Sequence, residues 1–469
     1  MANKTIPQLP EQTGKTDNDL LVIVDSGETT TSKIKLSTLL SGVGGSSFFS
    51  ADTDNNVLQI DRGHSFISGD SSNTMLYNFI LGGSGNTMNN QTNTNHTAER
   101  NVMIGGYNNI FRPGSNNSTT RNAAIIGGEN HIFGRESDNS ILIGGQGNAV
   151  SYGYRSVIAG GEGNLFSQQN NFLGGGKNNS VLNNHSGIIG GESHYLFSSY
   201  GFMGGGYDNT INAYNLRGNG IIGGETNTIS GVAKAFIGGG TNNTLSGNNG
   251  YIIAGSNNSV AASNGGIIGS NSSTISNGND SSTNIFGGTS NEMINNGGLG
   301  TFIVGGLENK IRNFDGTTNA DERRVLGGII GGRNNKISGD TSSINGSHAV
   351  PIILGGLENN MSGSTGNGTF YSSIISSSGS TIVNSTLSSH INSKGSTISG
   401  GDNIVMLGCS GRTGTNSYTT YVETLEAFTH VVLNDYSNLN FADDAAAATG
   451  GVPLGGVYHT SGALKVRIT

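Results

Sequence analysis

Residues 222–229, Ile222-Gly-Gly-Glu-Thr-Asn-Thr-Ile229, contain the pattern that decides the fold of this chain. An apolar residue precedes a Gly-Gly pair, and an asparagine and a second apolar residue follow at fixed distances. The same pattern stands at Ile143-Gly-Gly-Gln-Gly-Asn-Ala-Val150. A repeat of this kind is examined before any single element is predicted. Its first glycine, or a substitute for it, occurs at 18 positions, fourteen of which keep both glycines: 82, 105, 127, 144, 160, 175, 190, 205, 223, 239, 254, 269, 287, 305, 331, 355, 376 and 392.

Three other columns of the repeat are coupled to the glycines. The residue five after the second glycine is apolar in all 18 copies, and the residue two before the first glycine is apolar in 17, with His390 as the exception. The residue three after the second glycine is asparagine in 13 copies, serine in three, and histidine in two, His131 and His194. Gly-Gly pairs that occurred by chance would not have apolar residues and asparagine at the same fixed distances, so the chain is built from repeated units.

The spacing of the copies predicts the geometry of one unit. The shortest spacings are 15 or 16 residues and the longest is 26, which indicates a fixed coil with insertions. Fifteen residues accommodate two short strands and two turns. Glycine adopts positive φ without a clash and asparagine tolerates it, so these two columns are predicted to form corners.

We therefore predict an all-β fold, a β-solenoid (β-roll) of about 18 coils of about 15 residues, which would form a rod of about 86 Å at the strand spacing of a sheet. Small distinct segments are expected at both ends. Asparagines of successive coils are expected to form a structural ladder, as in other stacked β structures. The clearest candidates for this ladder are Asn148, Asn164, Asn179, Asn209, Asn227, Asn243 and Asn258.

The composition excludes several other classes of protein. The 469 residues include 79 glycines, 5 prolines and 1 cysteine, and 12% are charged. Collagen would need glycine at every third position with abundant proline, and a disulfide scaffold would need a partner for Cys409. No apolar run approaches the length of a membrane helix, and the net charge of −8 without a basic patch disfavours nucleic acid as a partner.

Adjacent apolar residues before the glycines suggest that one chain is not the complete assembly. Examples are Ile125-Ile126, Ile188-Ile189 and Ile221-Ile222. Neighbouring strand residues point to opposite faces, so one of each pair fills the coil and the other forms an apolar stripe outside it. Packing of this stripe on other copies, most simply in a homotrimer, is the preferred explanation. A monomeric solenoid with one face covered by insertions is the alternative.

The 15-residue units resemble the head repeats of trimeric autotransporter adhesins. The likeness is clearest at Tyr251-Ile-Ile-Ala-Gly-Ser-Asn-Asn-Ser-Val260 and Gly266-Ile-Ile-Gly-Ser-Asn-Ser-Ser-Thr-Ile275, and it covers roughly residues 77–410. It implies a trimeric left-handed β-roll. The sequence departs from a complete autotransporter, because Met1–Pro10 lacks the apolar core of a secretory signal and no membrane-anchoring barrel is expected.

The two ends differ from the repeat. Residues 1–43 contain two predicted strands, Leu20–Asp25 and one from Thr31 that continues into a short helix by Leu40; they resemble the virion-attachment segments of tailed-phage fibres and spikes. Residues 44–76 are predicted to be a linker and the start of the solenoid, and residues 77–410 its repeat region. Residues 411–469 are predicted to form a strand-rich cap or tip, with a helix near Phe441–Ala448 and a hairpin turning at Ser461-Gly462.

Few residues have the spacing that catalysis or metal binding needs, so no catalytic, metal-binding or cofactor-binding residue is predicted. The nine histidines are scattered, and no pair has metal-ligand spacing. Asp321-Glu322, beside Arg323-Arg324, forms a compact charged cluster that is interpreted as a solvated loop. One repeat position holds four glutamates, interpreted as a solvated edge rather than a glycosidase pair: Glu129, Glu162, Glu192 and Glu225.

Insertions that lengthen a coil are the expected binding elements. The main ones are residues 89–101, 112–124, 312–328, 338–350 and 362–373. Four aromatic residues in or near predicted turns are candidate receptor contacts that would stack on sugar rings: Tyr107, Tyr207, Phe370 and Tyr371.

Together these features predict a structural virion adhesin, a phage tail fibre or tailspike shaft that attaches to a host surface and is not an enzyme. Its expected partners are its own copies, tail or baseplate proteins that bind residues 1–43, and a host-surface glycan or protein; no membrane span is expected. It would be located in the virion tail after assembly in the host cytoplasm. The alternative is a self-assembling extracellular filament whose subunits join through their terminal segments.

Overall fold

The computed structural model shows an all-β chain that forms a parallel β-solenoid, with about 15 turns between residues 124 and 422. This confirms the fold class expected from the repeat. The structure describes residues 78–89, 97–112, 119–276, 282–295, 300–313, 327–339, 350–363, 371–424 and 436–469, and the backbone of five strands before them. Two compact units, Met1–Tyr421 and Val422–Thr469, are distinguished and are described separately.

Face A is the parallel sheet formed by the strands that precede the Gly-Gly pairs. Each strand hydrogen-bonds to the equivalent strand of the next coil without a register shift, as in Ile125 opposite Leu142. The sheet begins with Val57–Ile60, Phe79–Leu81, Val102–Ile104, Ala124–Ile126, Ile141–Ile143, Val157–Ile158, Phe172–Leu173, Gly187–Ile188, Phe202–Met203 and Gly220–Ile221. It continues with Phe236–Ile237, Tyr251–Ser256, Gly266–Asn271, Asn284–Phe286, Phe302–Val304, Gly328–Ile330, Ile352–Leu354, Ser373–Ile375, Ser389–Ile391, Val405–Leu407 and Thr420–Val422.

Face B is the parallel sheet formed by the strands that follow the asparagine column. It begins with Ser65–Ser68, Asn86–Asn89, Ile110–Phe111, Ile132–Phe133, Ala149–Ser151, Leu165–Ser167, Ser180–Val181, Tyr195–Ser199, Thr210–Arg217 and Thr228–Ser230. It continues with Thr244–Leu245, Ser259–Val260, Thr274–Ser276, Glu292–Asn295, Lys310–Asn313, Lys336–Gly339, Asn360–Gly363, Thr381–Val383, Thr397–Ser399 and Thr413–Gly414.

The core lies between the two faces, and a typical strand of either face contributes one inward apolar side chain to it. In the coil around Gly160, Ile158 of face A and Phe166 of face B are both fully buried. The paired isoleucines divide as expected: Ile125 is buried and Ile126 is 40% exposed. The sequence prediction that one of each pair faces inward and the other outward is therefore confirmed.

The first corner of each coil, here called the Gly-Gly corner, joins face A to face B. The residue after the second glycine makes a one-residue parallel bridge to the next coil, as Glu162 does with Lys177. The expectation that the asparagine column takes the left-handed conformation is wrong. That conformation belongs to the preceding residue, such as Asn178 with φ 53°, whereas Asn179 is buried and uses its side chain instead.

The solenoid extends beyond the predicted repeat at both ends. Val57–Ile60 and Ser65–Ser68 already pair in parallel with the coil that contains Gly82. A strand at Phe49–Asp52 pairs antiparallel with Val57–Ile60 and so occupies the outer edge of face A, which protects it from pairing with other chains. At the other end, Gly408 starts a further coil that the apolar columns did not reveal, because Gly414 stands where an apolar residue was expected.

In the described part of the first unit, two short sheets lie outside the two faces. Leu20–Ile23 and Ser32–Lys35 pair antiparallel, which confirms that the N-terminal segment contains two strands. Thr97–Glu99 and Thr119–Arg121 pair in parallel within two of the predicted insertions. The other insertion residues 90–96, 113–118, 314–326, 340–349 and 364–370 lie outside the described residues.

The C-terminal unit has a core of its own around Ala447, Val452 and Tyr458. A 3-10 helix spans Tyr436–Leu439 and an α-helix spans Asp444–Thr449, and the Asp443 side chain caps the α-helix by accepting the N–H of Ala446 at 2.8 Å. Val457–Thr460 and Ala463–Val466 form the hairpin predicted around Ser461-Gly462.

Candidate functional site

The buried asparagines form a ladder of hydrogen bonds along the Gly-Gly corner. Asn164 donates its backbone N–H to Oδ1 of Asn148 at 2.9 Å, and its own Oδ1 accepts the N–H of Asn179 at 2.9 Å. Its Nδ2 donates to the carbonyl oxygens of Gly160 at 3.2 Å and Gly176 at 3.0 Å. The Asn164 carboxamide therefore satisfies backbone groups of its own coil and of the coil that follows, while its backbone N–H is satisfied by the carboxamide of the preceding coil. The structure places all seven ladder residues in this column: Asn148, Asn164, Asn179, Asn209, Asn227, Asn243 and Asn258.

The second glycine of each pair is required by the close approach of the next coil. Gly206 has φ 101°, and a Cβ there would overlap the carbonyl oxygen of Gly224 and lie 2.9 Å from Nδ2 of Asn209. Gly205, the first glycine of the same pair, has no atom within 4 Å of its Cβ position. Ala254 occupies the first-glycine position of another coil, which shows that this position accepts a side chain.

Coils that lack the second glycine change the asparagine as well. Serine replaces both residues in three coils: Ser270 with Ser273, Ser377 with Ser380, and Ser393 with Ser396. The serine at the glycine position can then reach the next coil, as Ser393 Oγ does by donating to the carbonyl of Met406 at 3.2 Å. Cys409 fills the same position, is buried, and its thiol donates to the carbonyl of Tyr421 at 3.2 Å.

Histidines replace asparagine in two rungs of the ladder. Nδ1 of His131 accepts the N–H of Asn148, and Nδ1 of His194 accepts the N–H of Asn209, both at 3.2 Å. Burial lowers the pKa of both imidazoles, and hydrogen bonds to the backbone oppose this only in part. Burial also lowers the pKa of His390, which lies in the core with Nε2 3.0 Å from the carbonyl of Thr381. These histidines are structural members of the coil interior.

The outer surfaces of the two faces differ in chemistry. The outward positions of face A are mostly aliphatic or aromatic, and eight of its exposed side chains are Ile126, Ile143, Phe172, Ile189, Phe202, Ile222, Phe236 and Ile253. The outward positions of face B include a row of threonines, Thr210, Thr228 and Thr244, with charged residues further along. Face A is therefore apolar along most of its length, whereas face B is polar at these threonines but also exposes Ile132 and Tyr195.

The predicted receptor contacts do not form one site. Tyr107 and Tyr207 are 49% and 48% exposed on the same line of the Gly-Gly corner, but they are six coils apart, which is roughly 29 Å at the spacing of adjacent strands. Tyr371 is 57% exposed at a left-handed turn, and Phe370 lies outside the described residues.

Sequence reasoning missed an aromatic cluster at the second corner, where face B returns to face A. The rings of His185 and Tyr200 stack at 4.7 Å, and the Arg217 guanidinium lies 5.5 Å from the centre of the Tyr200 ring. The rings of Phe197 and Tyr214 stack at 5.0 Å. The sequence feature that could have revealed this cluster is the 18-residue spacing between Gly205 and Gly223, which gives this coil three residues more than the minimum of 15.

A charged cluster on face B was also missed. Glu292 accepts from Arg312 at 3.0 Å and pairs with Lys310 at 3.2 Å. Burial acts to raise the pKa of Glu292, but the hydrogen bonds and charges of Arg312 and Lys310 outweigh it and hold the pKa below its usual value. The predicted cluster at 321–324 lies outside the described residues.

The glutamates of the repeat lie on one line of the Gly-Gly corner. Glu129, Glu162, Glu192 and Glu225 all occupy the bridge position after the second glycine, and Glu162 pairs with Lys177 at 3.5 Å. Among the described residues, no three His, Cys, Asp or Glu side chains come together as metal ligands. No helix in the described part of the chain is long and apolar enough to cross a membrane.

Comparison with known proteins identifies no relative: no protein-family model matches the chain, and no curated protein matches it.

Proposed function

We propose that this protein is a structural virion adhesin, the shaft of a phage tail fibre or tailspike, which attaches to a host surface as a homotrimer. The observation that carries the proposal is the apolar outer surface of face A. Ile189 is 55% exposed and Ile222 is 53% exposed on a surface that continues from coil to coil. Soluble monomers seldom expose a continuous apolar strip of this length.

The strip is long enough for an interface between subunits, because exposed apolar side chains of face A recur along the solenoid from Ile104 to Leu407. Packing face A of three chains around a common axis would remove the strip from water and leave face B outside. Residues 1–43 would then attach the fibre to tail proteins, and three copies of each surface site would raise the avidity for the host.

The mass of the purified chain in solution tests the trimer. We expect a discrete trimer for the full-length protein, and monomers when charge is introduced on face A by Ile189→Lys with Ile222→Lys. The matched control places the same charges on face B by Thr228→Lys with Thr244→Lys, and it should remain a trimer. A wild-type monomer would contradict the proposal, and open-ended polymers would support a filament instead.

Removal of residues 1–43 tests the role in the virion. The shortened chain should still form the trimer and bind host cells, but it should not be incorporated into tails when it is supplied during phage assembly. Incorporation equal to that of the full-length chain would contradict the assigned role of this segment.

A further inference from the structure

The aromatic corner comprises two groups of side chains, Tyr195, Phe197 and Tyr214 at the end of face B and His185, Tyr200 and Arg217 at the second corner of the solenoid. We propose that it binds an acidic glycan, with its aromatic rings against the sugar rings and Arg217 and Lys234 on the carboxylates. This inference rests on the proposed function, because it assigns a class of host ligand to a surface of the fibre.

An insertion gives the aromatic corner its shape. Strands Tyr195–Ser199 and Thr210–Arg217 are in register until Ser198 faces Ala213, and Ser199 then pairs with Arg217. Residues 214–216 therefore form a bulge, in which Tyr214 and Asn215 are exposed and Leu216 packs against the core. The Tyr214 ring, 62% exposed, lies against Phe197, and Tyr195 stands 6.3 Å from Phe197. A coil without the insertion would lack this exposed surface of aromatic rings.

The second part of the corner is a stack along the rod. His185, Tyr200 and Arg217 come from successive coils, and Tyr200 is 51% exposed although it lies between the other two. A guanidinium stacked on an aromatic ring keeps its in-plane N–H donors free, and these donors match a carboxylate in a bidentate geometry. The stack therefore combines an aromatic surface with a fixed donor group for an anion.

From residue 140 onwards, charges are segregated between the two corners. Glu136 and Asp138 still lie at the second corner of an earlier coil, whereas all four acidic residues of 140–276, Glu162, Glu192, Asp208 and Glu225, lie at the Gly-Gly corner. Arg155, Arg217 and Lys234 lie at the second corner, where the N–H of Lys234 donates to the carbonyl of Arg217 at 2.9 Å. The remaining cation, Lys177, pairs with Glu162 at the Gly-Gly corner.

This arrangement selects the class of ligand. Exposed aromatic rings favour flat apolar surfaces such as the faces of sugar rings, since they supply large rigid contact areas with polar edges. The unpaired cations beside them add attraction for carboxylates, and no carboxylate of residues 140–276 competes at this corner. A linear polymer of uronic acids offers both features repeatedly along one chain.

Binding of polygalacturonate by the full-length protein tests this proposal, with dextran as the neutral polysaccharide and single-stranded DNA as an unrelated polyanion. Tyr214→Ala and Arg217→Gln should each weaken polygalacturonate binding about tenfold or more, since each removes a desolvated contact to the ligand. The matched controls, Tyr418→Ala, which is 84% exposed away from this cluster, and Lys177→Gln at the Gly-Gly corner, should bind as the wild type does. Added salt should weaken binding of the wild type more than binding of Arg217→Gln.

Several results would overturn the proposal: no binding of polygalacturonate, equal binding of dextran, equal binding of DNA, or equal loss in the controls. The thermal melting and the mass of every variant are measured on the same samples. A wild type that is a stable trimer but fails these binding tests contradicts the acidic-glycan site alone. A wild type that is not a discrete trimer contradicts the proposed function, whatever it binds.

Discussion

Asn179 donates its backbone N–H to Oδ1 of Asn164 at 2.9 Å, although the two residues belong to different coils and are fifteen positions apart. The Asn164 carboxamide also bonds to the carbonyls of Gly160 and Gly176. One buried side chain thus holds the corner of its own coil and joins it to the next. The stability of the corner depends on this carboxamide more than on any conformational preference of asparagine.

Asn164→Leu should destabilise the coil of residue 164 and the coil that follows it. The change leaves the buried N–H of Asn179 without an acceptor, at about 1–3 kcal/mol, and removes one of the two donors to the carbonyls of Gly160 and Gly176. Hydrogen exchange measured residue by residue should show loss of protection at Asn179 and its neighbours. Asn178→Gly is the control, because Asn178 is exposed with φ 53° and glycine accepts that conformation readily. Unchanged protection in the leucine variant would contradict the role of the ladder.

The two glycines of one pair should differ sharply in their tolerance of alanine. Gly206→Ala should cost about 2–5 kcal/mol, since it combines a strained backbone with overlap against the next coil. Gly205→Ala should change the stability by about 0.5 kcal/mol or less. Thermal unfolding and local hydrogen exchange of the two variants provide the comparison, and equal effects would show that the contact with Gly224 does not limit this position.

A serine at the second glycine should be tolerated better when the asparagine is also replaced. Gly206→Ser alone places Cβ against the Asn209 carboxamide, whereas Gly206→Ser with Asn209→Ser reproduces the pairing found at Ser270 and Ser273. The double variant should therefore be more stable than the sum of the single changes predicts. A double-mutant cycle of unfolding free energies measures this coupling, and strict additivity would rule it out.

The buried histidines should make the solenoid less stable in acid. Burial lowers the pKa of His131, His194 and His390 below the usual histidine value of 6.5, so the unfolded chain binds protons more readily than the folded one. Their contribution is complete above pH 6.5 and is lost as the pH falls through that value towards the lowered native pKa. His131→Asn with His194→Asn should reduce the fall in melting temperature between pH 7.5 and pH 5. An unchanged pH dependence would contradict the assignment.

Asp444 should control the titration of Tyr458 in the C-terminal unit. The Tyr458 hydroxyl donates to Asp444 at 2.6 Å, and this bond raises the pKa of Tyr458 to about 12 and lowers that of Asp444 to about 2. The stabilising effect of the carboxylate is present above pH 3.8 and is lost as the pH falls through about 2. The stabilising effect of the Tyr458 phenol is present below pH 10 and is lost as the pH rises through about 12.

Asp444→Asn should return the pKa of Tyr458 towards 10. NMR titration of carbon-labelled tyrosines measures the change, and Tyr418, which is 84% exposed, is the internal reference. A Tyr458 pKa that remains near 12 in this variant would show that burial, rather than Asp444, sets its value.

The amino-acid sequence by itself determined the coil. The Gly-Gly, asparagine and apolar columns lie within nine residues, as in residues 80–88, so the local rules for turns and strands are sufficient to predict the corners, the two faces and the inward residues such as Ile125. The sequence also predicted that Ile126 and its equivalents lie outside, because side chains alternate along a strand whatever the partner is.

Only the tertiary structure decided which side chains of different coils meet. Glu292 contacts Arg312, and Tyr200 contacts both His185 and Arg217, because parallel strands bring together residues 15 to 20 positions apart. The insertions vary in length from coil to coil, so the number of positions that separates two contacting residues in the sequence cannot be predicted from the repeat. A single register shift at Ser199 places Arg217 beside Tyr200 and exposes Tyr214, and hydrogen bonding between the coils sets that shift.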